Sequence, residues 1–230
     1  MAYDRHPEEF RRLVVLGESH VQGGRWLLKD SERWPDILVE LINRCQSRTV
    51  EYFNKGVGAS VISPRSPEYA ASGKPSALER YRRDVIALSP DLFILSYGLN
   101  DMRAGMDPLM FMEDMERIIV DVKSACSPLI VLTTVYYYNA YGLYPPFDKG
   151  NPRAARVYNT AIRGLAHRHG CLVADIWEAE NEADWLIHPD GVHANFVGQL
   201  VIACRIFETL AGNCGGLSKR IRERDRLGYR

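Results

Sequence analysis

Short apolar runs alternate with amphipathic stretches along most of the chain. The apolar runs have the length of β-strands, and all except the alternating segment 49–54 are continuous, as in a sheet covered on both faces. These candidate strands are Arg12–Gly17, Thr49–Asn54, Asp91–Gly98, Pro128–Val135 and Cys171–Ile176. Apolar residues recur at helical spacing in Trp34–Arg44, Ser76–Leu88, Pro108–Ala125, Arg153–His169 and Ala194–Leu210. Strands separated by crossover helices predict a parallel sheet in a three-layer α/β domain.

Local signals mark where two of these helices begin. Ser76 and Glu79 form the S-x-x-E pattern of a capping box, in which each side chain accepts a hydrogen bond from the other residue's backbone N–H. Pro108 stands at a predicted helix start, where a proline loses no intrahelical hydrogen bond.

Composition and charge narrow the classes of partner. The chain has 230 residues, of which 46% are hydrophobic, and its 29 Lys and Arg balance its 29 Asp and Glu. A binder of nucleic acid or of anionic membrane surfaces would need a basic excess, so neither is expected. No apolar run is long enough to cross a bilayer. We assign residues 1–217 to one domain and expect the basic tail 218–230 to fray or to dock on the surface.

The amino-terminal residues and the cysteines bear on the compartment. The first twelve residues are charged and contain no apolar segment of the kind found in secretory signals. The five cysteines are odd in number and include no C-x-x-C pair, so reduced thiols are favoured over a disulfide framework. Both observations favour a cytoplasmic protein.

Polar residues follow the candidate strands at the points where those strands end. They are Ser19 and His20 after the first, Gly58 after the second, Asn100 after the third, and Asp190 and His193 beyond the fifth. Because the carboxyl ends of parallel strands lie at one edge of the sheet, we expect these residues to face one crevice. Each has an ordinary structural interpretation when it is considered alone: helix cap, turn or packed histidine.

Four ordered blocks give these residues a common pattern. They are GES at Gly17–Ser19, N-x-G-x-G at Asn54–Gly58, G-x-N-D at Gly98–Asp101 and D-x-x-H at Asp190–His193. In these blocks the chain resembles the SGNH hydrolases, also called GDSL esterases and lipases. The resemblance implies a flavodoxin-like fold with a central five-stranded parallel sheet and a serine-dependent ester hydrolase. Neither a G-x-G-x-x-G nor a phosphate-binding P-loop follows the first strand, so nucleotide enzymes are disfavoured.

The same resemblance assigns a catalytic triad. Ser19 would be the nucleophile, and a serine hydroxyl needs an adjacent base at neutral pH. His193 would be that base, and Asp190 would orient its ring from three residues earlier on the same loop. The sequence has no recognisable metal-ligand spacing, and this reaction requires neither a metal nor a cofactor, so none is expected.

An oxyanion hole is implied as well. Its donors would be the Ser19 N–H, the side-chain amide of Asn100 and one N–H from the second block. For that last donor we name Gly58 and hold Ala59 as the alternative, because relatives often carry a glycine where Ala59 stands. A second departure is Glu18, which replaces the usual aspartate before the nucleophile and is expected to alter support of that loop.

Substrate contacts are harder to place from the residues. The aromatic loop Tyr136–Asn151 follows the fourth strand, and its tyrosines, with Tyr136 and Tyr138 among them, suit sugar rings, aryl groups or short acyl groups. Packing of the loop on itself, or on a second subunit of a homo-oligomer, is an equal alternative. His20 is a further candidate for the pocket wall, whereas Arg103 could contact an anionic substrate but is expected to be a solvated surface residue.

The expected reaction is removal of a short acyl group, acetyl above all, from a small or carbohydrate ester. One alternative is a lysophospholipase or thioesterase that takes longer acyl chains. Another is a non-catalytic module that binds carbohydrate or a partner protein. Transfer of the acyl group to an acceptor other than water also remains open, because the same triad serves both reactions.

Overall fold

A computed structural model describes residues 3–228 of the chain. Its five strands form one sheet in the order β2-β1-β3-β4-β5, and every neighbouring pair is parallel. The strands are β1 (Arg12–Gly17), β2 (Glu51–Gly56), β3 (Leu92–Ser96), β4 (Leu129–Thr133) and β5 (Leu172–Ala174). This is the flavodoxin-like strand order, so the predicted five-stranded α/β fold is confirmed.

Helices cover both faces of the sheet. They are α1 (Ser19–Gln22), α2 (Trp34–Cys45), α3 (Tyr69–Ser72), α4 (Ala77–Asp84), α5 (Leu99–Arg103), α6 (Pro108–Cys126), α7 (Pro152–His169), α8 (Ile176–Glu180), α9 (Phe196–Ala211) and α10 (Gly216–Gly228). Helix α2 packs against α9 in one layer, and α4, α6 and α7 pack together in the other. The apolar residues of β1 and β3 between the layers are fully buried, which explains why these strands are continuous apolar runs.

Several element bounds differ from the sequence prediction for local reasons. The fifth strand stops at Ala174 because the Asp175 side chain accepts a hydrogen bond from the Glu178 N–H and thereby caps α8. Helix α9 begins at Phe196, two residues later than predicted, because Asn195 caps it. The predicted helix 76–88 has its capping box, with Ser76 N–H donating to Glu79 at 2.7 Å. It breaks at Val85 and continues as a single 3₁₀ turn.

The basic tail forms a docked helix as far as the structure describes it. Helix α10 starts at Gly216, before the predicted boundary, and Leu217 is buried at its base. Lys219 pairs with Glu8 at 2.9 Å, and an Arg220 guanidinium nitrogen donates to the Gln46 carbonyl at 3.0 Å. Residues 229–230 of the predicted tail lie outside the described residues.

We also searched residues 3–228 for membrane-spanning helices. No single helix among them is long and apolar enough to cross a bilayer. The bent pair Phe196–Ala211 and Gly216–Gly228 passes the same test by length and composition only.

The strand register brings three loops to one edge of the sheet. Gly17 at the end of β1 pairs with Gly56 of β2 on one side and with Ser96 of β3 on the other. The segments that follow therefore leave the sheet side by side. Ser19 and Asn100 lie in two of these segments, within three and five residues of the paired positions.

A buried carboxyl group fixes the start of the aromatic loop. Glu180, at the end of α8, is fully buried, and its Oε2 accepts a hydrogen bond from the Tyr137 N–H at 2.7 Å. Burial raises the pKa of Glu180 to about 8, against a smaller opposing effect of that hydrogen bond. Glu180 is therefore mostly protonated in the folded protein at neutral pH.

We expect replacement of Glu180 by glutamine to flatten part of the pH dependence of stability. A raised pKa means that the folded state binds this proton more tightly, so the wild type loses stability as pH rises from about 4.5 to about 8. Glu180→Gln keeps the acceptor and the neutral charge, and its free energy of unfolding relative to wild type should rise by on the order of 4 kcal/mol across that window. Urea denaturation at a series of pH values measures this difference, with Glu178→Gln on the exposed side of α8 as control. A constant difference between the Glu180 variant and wild type would contradict the raised pKa.

Candidate active site

A short loop near one edge of the sheet carries both Asp190 and His193. Its base is closed by a β-bridge between Ile187 and Ala194 and by a hydrogen bond from the His188 N–H to the His193 carbonyl at 2.7 Å. Gly191 has a positive φ of 71°, and its carbonyl accepts the N–H groups of two residues in the aromatic loop at 2.9 Å each. A side chain at Gly191 would collide with those residues, so glycine is required at this turn.

The loop brings its two polar side chains into line with the serine after β1. His193 Nε2 lies 2.9 Å from Ser19 Oγ, and His193 Nδ1 lies 2.8 Å from Asp190 Oδ2. Ser19 is the first residue of α1, so its hydroxyl stands at the edge of the sheet. The arrangement is a hydroxyl, an imidazole and a carboxylate in hydrogen-bonded series, the geometry that can activate an oxygen nucleophile.

Asp190 is held as a carboxylate by its neighbours. Its Oδ1 accepts the backbone N–H groups of Val192 and His193 at 2.9 Å each, while Oδ2 faces the imidazole. Burial alone would raise the pKa of Asp190, but hydrogen bonds from the His193 side chain and from these backbone groups outweigh it. The pKa consequently lies well below its usual range, and Asp190 can orient and stabilise a positively charged His193 ring.

His20 lies behind His193 instead of on the cavity wall. Its ring stacks on Tyr136 with centroids 4.1 Å apart, and the Ala194 N–H approaches its Nε2 at 3.3 Å. The Tyr136 hydroxyl in turn lies 2.6 Å from Ser96 Oγ. His20, Tyr136 and Tyr138 are exposed by only 1%, 3% and 1%. The expectation that these three bind substrate is therefore corrected: they pack beneath the site and support it.

The Glu18 side chain connects the segments that follow β1 and β3. Glu18 is buried, and its Oε1 accepts the N–H groups of Gly98 at 3.1 Å and Asn100 at 3.2 Å. Burial, and after it the neighbouring Asp101, raises the pKa of Glu18 well above its ordinary value. Gly98 has a φ of 129°, and an added Cβ would lie 3.0 Å from two side chains, so this tight turn needs glycine. The extra methylene of Glu18 thus reaches the backbone beside Asn100.

Gly58, Ala59 and Asn100 lie beside Ser19 and differ in whether their N–H groups already have a hydrogen-bond acceptor. The Gly58 N–H donates to the Gln22 side-chain oxygen, whereas the Ala59 N–H has no acceptor among the described residues. Ala59 has a φ of 58°, the left-handed region, at a cost of roughly 1–2 kcal/mol for a residue with a Cβ. Asn100 Nδ2 donates one hydrogen to the Ser60 carbonyl at 3.0 Å, which fixes the amide and leaves its second hydrogen available.

The three linked side chains open into a cavity of about 430 Å³. It is lined by Ser19, Gln22, Gly23, Trp26, Gly58, Ala59, Asn100, Arg103, Tyr144, Pro145, Phe147, Asp190, Val192 and His193. Two larger clefts, of about 600 and 800 Å³, lie at the opposite edge of the sheet around Arg11 and Asp91, which pair with each other. Of these three clefts, the cavity at the carboxyl edge is the one that contains the linked Ser19, His193 and Asp190 side chains.

Comparison with known proteins gives these residues a family. The model of the GDSL-like lipase/acylhydrolase family matches residues 15–200, well over half of the chain. The chain belongs to this family. The resemblance in the four blocks is thereby confirmed, and the protein is a carboxylic ester hydrolase. No protein with a curated description matches it in sequence.

Solved structures of similar fold cover nearly the whole acylhydrolase. A lipase/acylhydrolase from Enterococcus faecalis is 20% identical with a TM-score of 0.70, over 88% of this chain and 96% of the other. LAE5, an α/β hydrolase from the metagenome of Lake Arreo, is 21% identical with a TM-score of 0.67, over 90% and 96%. Axe2, an acetylxylan esterase from Geobacillus stearothermophilus, is 19% identical with a TM-score of 0.63, over 87% and 94%. At these identities the likeness establishes the fold.

Trp26 is a cavity residue of this acylhydrolase that sequence reasoning did not single out. Its ring stacks on His193 with centroids 3.6 Å apart and planes 9° from parallel. The His193 ring thus lies between Trp26 and His20, whose centroid is 5.1 Å away. The sequence contains only a weak signal for Trp26, namely an aromatic residue in a glycine-containing loop shortly after Ser19.

Arg103 requires a correction of the opposite kind. It was expected to be solvated, but it is only 5% exposed and lines the cavity from the end of α5. The aromatic loop also divides, because Tyr137 is buried while Tyr144, Pro145 and Phe147 reach the cavity. One part of the loop is therefore packed in the protein, and another part lines the cavity.

Metal ligands were searched for as well. Within residues 3–228, no group of three or more His, Cys, Asp or Glu side chains is arranged to hold a metal ion.

Proposed function

We propose that this ester hydrolase is a serine esterase that removes short acyl groups through Ser19, His193 and Asp190. The observation that carries the proposal is the series of contacts at 2.9 and 2.8 Å that links these three side chains at the cavity. General-base activation is what a serine hydroxyl needs in order to attack a carbonyl carbon at neutral pH.

In the first half-reaction, Ser19 Oγ attacks the ester carbonyl while His193 Nε2 takes the hydroxyl proton. The tetrahedral intermediate then collapses, the bond to the leaving oxygen breaks, and His193 gives its proton to that oxygen. In the second half-reaction water attacks the acyl-enzyme, with His193 acting again as base. Asp190 stays ionised throughout and stabilises the positively charged ring.

The oxyanion of that intermediate faces three donors. The Ser19 N–H is at the first position of α1, where helix N–H groups lack intrahelical acceptors. Asn100 Nδ2 keeps one free hydrogen, and the Ala59 N–H has no acceptor within the described part of the chain. We therefore favour Ala59 over Gly58 as the donor from the second block, since Gln22 already occupies the Gly58 N–H.

The shape of the cavity supports a small acyl group. An ideal Cβ on Gly58 would lie 3.8 Å from Ser19 Cβ, so the backbone wall stands close to the nucleophile. The aromatic residues Trp26, Tyr144 and Phe147 also line the cavity, and their flat apolar faces suit the sugar or aryl ring of a leaving group. Acetyl esters of such alcohols are the substrates that we propose.

A fluorophosphonate probe and a series of p-nitrophenyl esters test this proposal. We expect the probe to label Ser19 alone, as read by mass spectrometry, and kcat/KM to be highest for the acetyl ester. An unreactive Ser19 in folded protein would contradict a serine esterase. A maximum beyond eight acyl carbons would contradict the acetyl preference and favour a lysophospholipase or thioesterase.

Removal of the Asn100 side chain should slow turnover without unfolding the protein. Loss of one oxyanion donor costs about 3 kcal/mol of transition-state stabilisation, which corresponds to about a hundredfold in kcat. Steady-state kinetics of Asn100→Ala with p-nitrophenyl acetate measures the loss, and circular dichroism checks that the fold is intact. Turnover equal to wild type would exclude Asn100 from the oxyanion hole.

A further inference from the structure

The Arg103 side chain is a buried cation on the wall of the catalytic cavity. The residue is 5% exposed, and its Nε atom is buried without a hydrogen-bond acceptor among residues 3–228. No carboxylate of these residues lies within 4.0 Å of its guanidinium nitrogens. A guanidinium carries five N–H donors and stays charged in proteins, so its donors are left for a ligand of the cavity.

The protein fixes this side chain by contacts with its aromatic neighbours. The Arg103 carbonyl accepts the Lys149 N–H at 2.8 Å, and a Cβ on Gly150 would collide with the Arg103 stem. The guanidinium carbon lies 5.5 Å from the Tyr138 ring centroid and 6.0 Å from that of Phe147. Flat rings hold a guanidinium in place but leave its N–H bonds unsatisfied.

The two nearest acidic side chains, Glu18 and Asp190, already accept hydrogen bonds from other residues. Glu18 accepts the N–H groups of Gly98 and Asn100, and Asp190 accepts the backbone and side chain of His193. Both carboxylates act on Arg103 only through longer-range attraction. Arg103 is therefore not the salt-bridge partner of either group.

An unpaired buried charge is expensive, since several kcal/mol of hydration are lost without a partner to replace them. Burial accordingly lowers the pKa of Arg103 from its ordinary value, and attraction from neighbouring acidic groups opposes this effect. An anion bound in the cavity would replace the lost hydration with hydrogen bonds and charge attraction. Planar carboxylates match the fork of a guanidinium best, because two parallel N–H···O bonds form at once.

We propose that Arg103 is a specificity-determining residue that binds a carboxylate on the substrate. The substrate class is a short-chain acyl ester whose alcohol or phenol part bears a carboxylate, such as an acetylated acidic sugar or an acetoxy aryl acid. The aromatic walls take the ring, Arg103 takes the carboxylate, and Ser19 meets the acyl group. This inference rests on the proposed serine esterase function, because it concerns the same cavity.

The first test compares esters that differ in charge alone. The two positional isomers 3- and 4-acetoxybenzoate are assayed beside their uncharged amides, and the ratio of kcat/KM values for acid over amide is the measured quantity. The wild type should prefer one of the acids by about tenfold to a hundredfold, and Arg103→Met should abolish that ratio. Lys149→Met removes a positive charge from the exposed rim and should keep it. A wild-type ratio near one for both isomers would overturn the proposal, as would an unchanged ratio in Arg103→Met.

The second test is independent of turnover. Titration calorimetry measures binding of the product acids, 3- and 4-hydroxybenzoate, to wild type, Ser19→Ala and Arg103→Met. We expect wild type and Ser19→Ala to bind one acid equally, with weaker binding at high salt, and Arg103→Met to lose at least tenfold. Equal binding by Arg103→Met, or no binding of either acid by wild type, would overturn the inference.

The two proposals fail in different ways. If Ser19→Ala kept full activity on neutral esters, the serine mechanism would be wrong while the calorimetry still reported on Arg103. If wild type cleaved neutral esters through Ser19 and showed no carboxylate preference, the inference alone would be wrong. Arg103→Lys is a second variant in case Arg103→Met does not fold. It keeps the charge but loses the planar fork, so its ratio of kcat/KM for acid over amide should be intermediate.

Discussion

Ser19→Ala is expected to lower kcat for p-nitrophenyl acetate by at least about 10⁴-fold. The reason is that no acyl-enzyme can form, and the oxyanion hole and His193 then act on a direct attack by water alone. Members of a triad act as a unit, so His193→Ala should cause a loss of similar size and the double variant should be little worse. Steady-state kinetics with a sensitive chromogenic ester measures all three proteins.

The control for this experiment is Ser124→Ala. Ser124 lies on the exposed side of α6, and its replacement should leave both kcat and fluorophosphonate labelling at the wild-type level. The unfolding midpoint of Ser19→Ala should also stay close to that of wild type, because the one hydrogen bond of Ser19 Oγ among the described residues is with His193. Residual activity above a tenth of the wild type would point to a different nucleophile.

Asp190→Asn is expected to lower kcat by about 10³–10⁴-fold while the cavity keeps its shape. An amide fits the same space but cannot stabilise the positively charged ring, and it favours the wrong tautomer of His193. Because its hydrogen bonds hold the pKa of Asp190 well below the usual range, the wild-type carboxylate stays ionised down to acidic pH. The loss should therefore be nearly constant across neutral and mildly acidic buffers.

Asp225→Asn is the matched control for Asp190→Asn. Asp225 is an exposed partner of Arg224 on helix α10, so its replacement makes the same change in charge far from the cavity. Its kinetics should equal those of wild type. A loss below tenfold in Asp190→Asn would show that His193 is oriented by other contacts, such as the stacked Trp26 ring.

Much of the fold could be predicted because its signals are local. Four continuous apolar runs and one alternating segment identified the five strands, and the bounds of β1 match the structure residue for residue. Two of the errors in the bounds occur where a side chain caps a helix. Asp175 was assigned to a strand because it sits in an apolar segment, yet its carboxylate starts α8 and ends β5 early.

The candidate site could be predicted only in part, because burial depends on contacts between distant segments. The four sequence blocks located Ser19, Asn100, Asp190 and His193 at one edge of the sheet. They carried no information on Arg103, which is enclosed only when residues 147–150 fold back over α5.

The assignment of the backbone oxyanion donor to Gly58 or Ala59 likewise depends on a contact between distant segments, the one made by the Gln22 side chain. The Gln22 amide oxygen accepts the Gly58 N–H, and its direction follows from the packing of the α1 turn against the second block. Nothing in the local sequence around either position shows that contact. The sequence therefore favoured Gly58, whereas the contact of its N–H with Gln22 supports the proposal of Ala59 instead.

The aromatic loop combines a rigid base with an open tip. Tyr136, Tyr137 and Tyr138 at one end and Gly150 at the other are buried, whereas residues 142–145 between them are exposed. Because the reacting groups stand on strand ends and the 188–193 turn, the tip can be exchanged without disturbing them. Grafting tips of other lengths onto this base offers a way to retune which alcohols are released while the acyl chemistry is inherited unchanged.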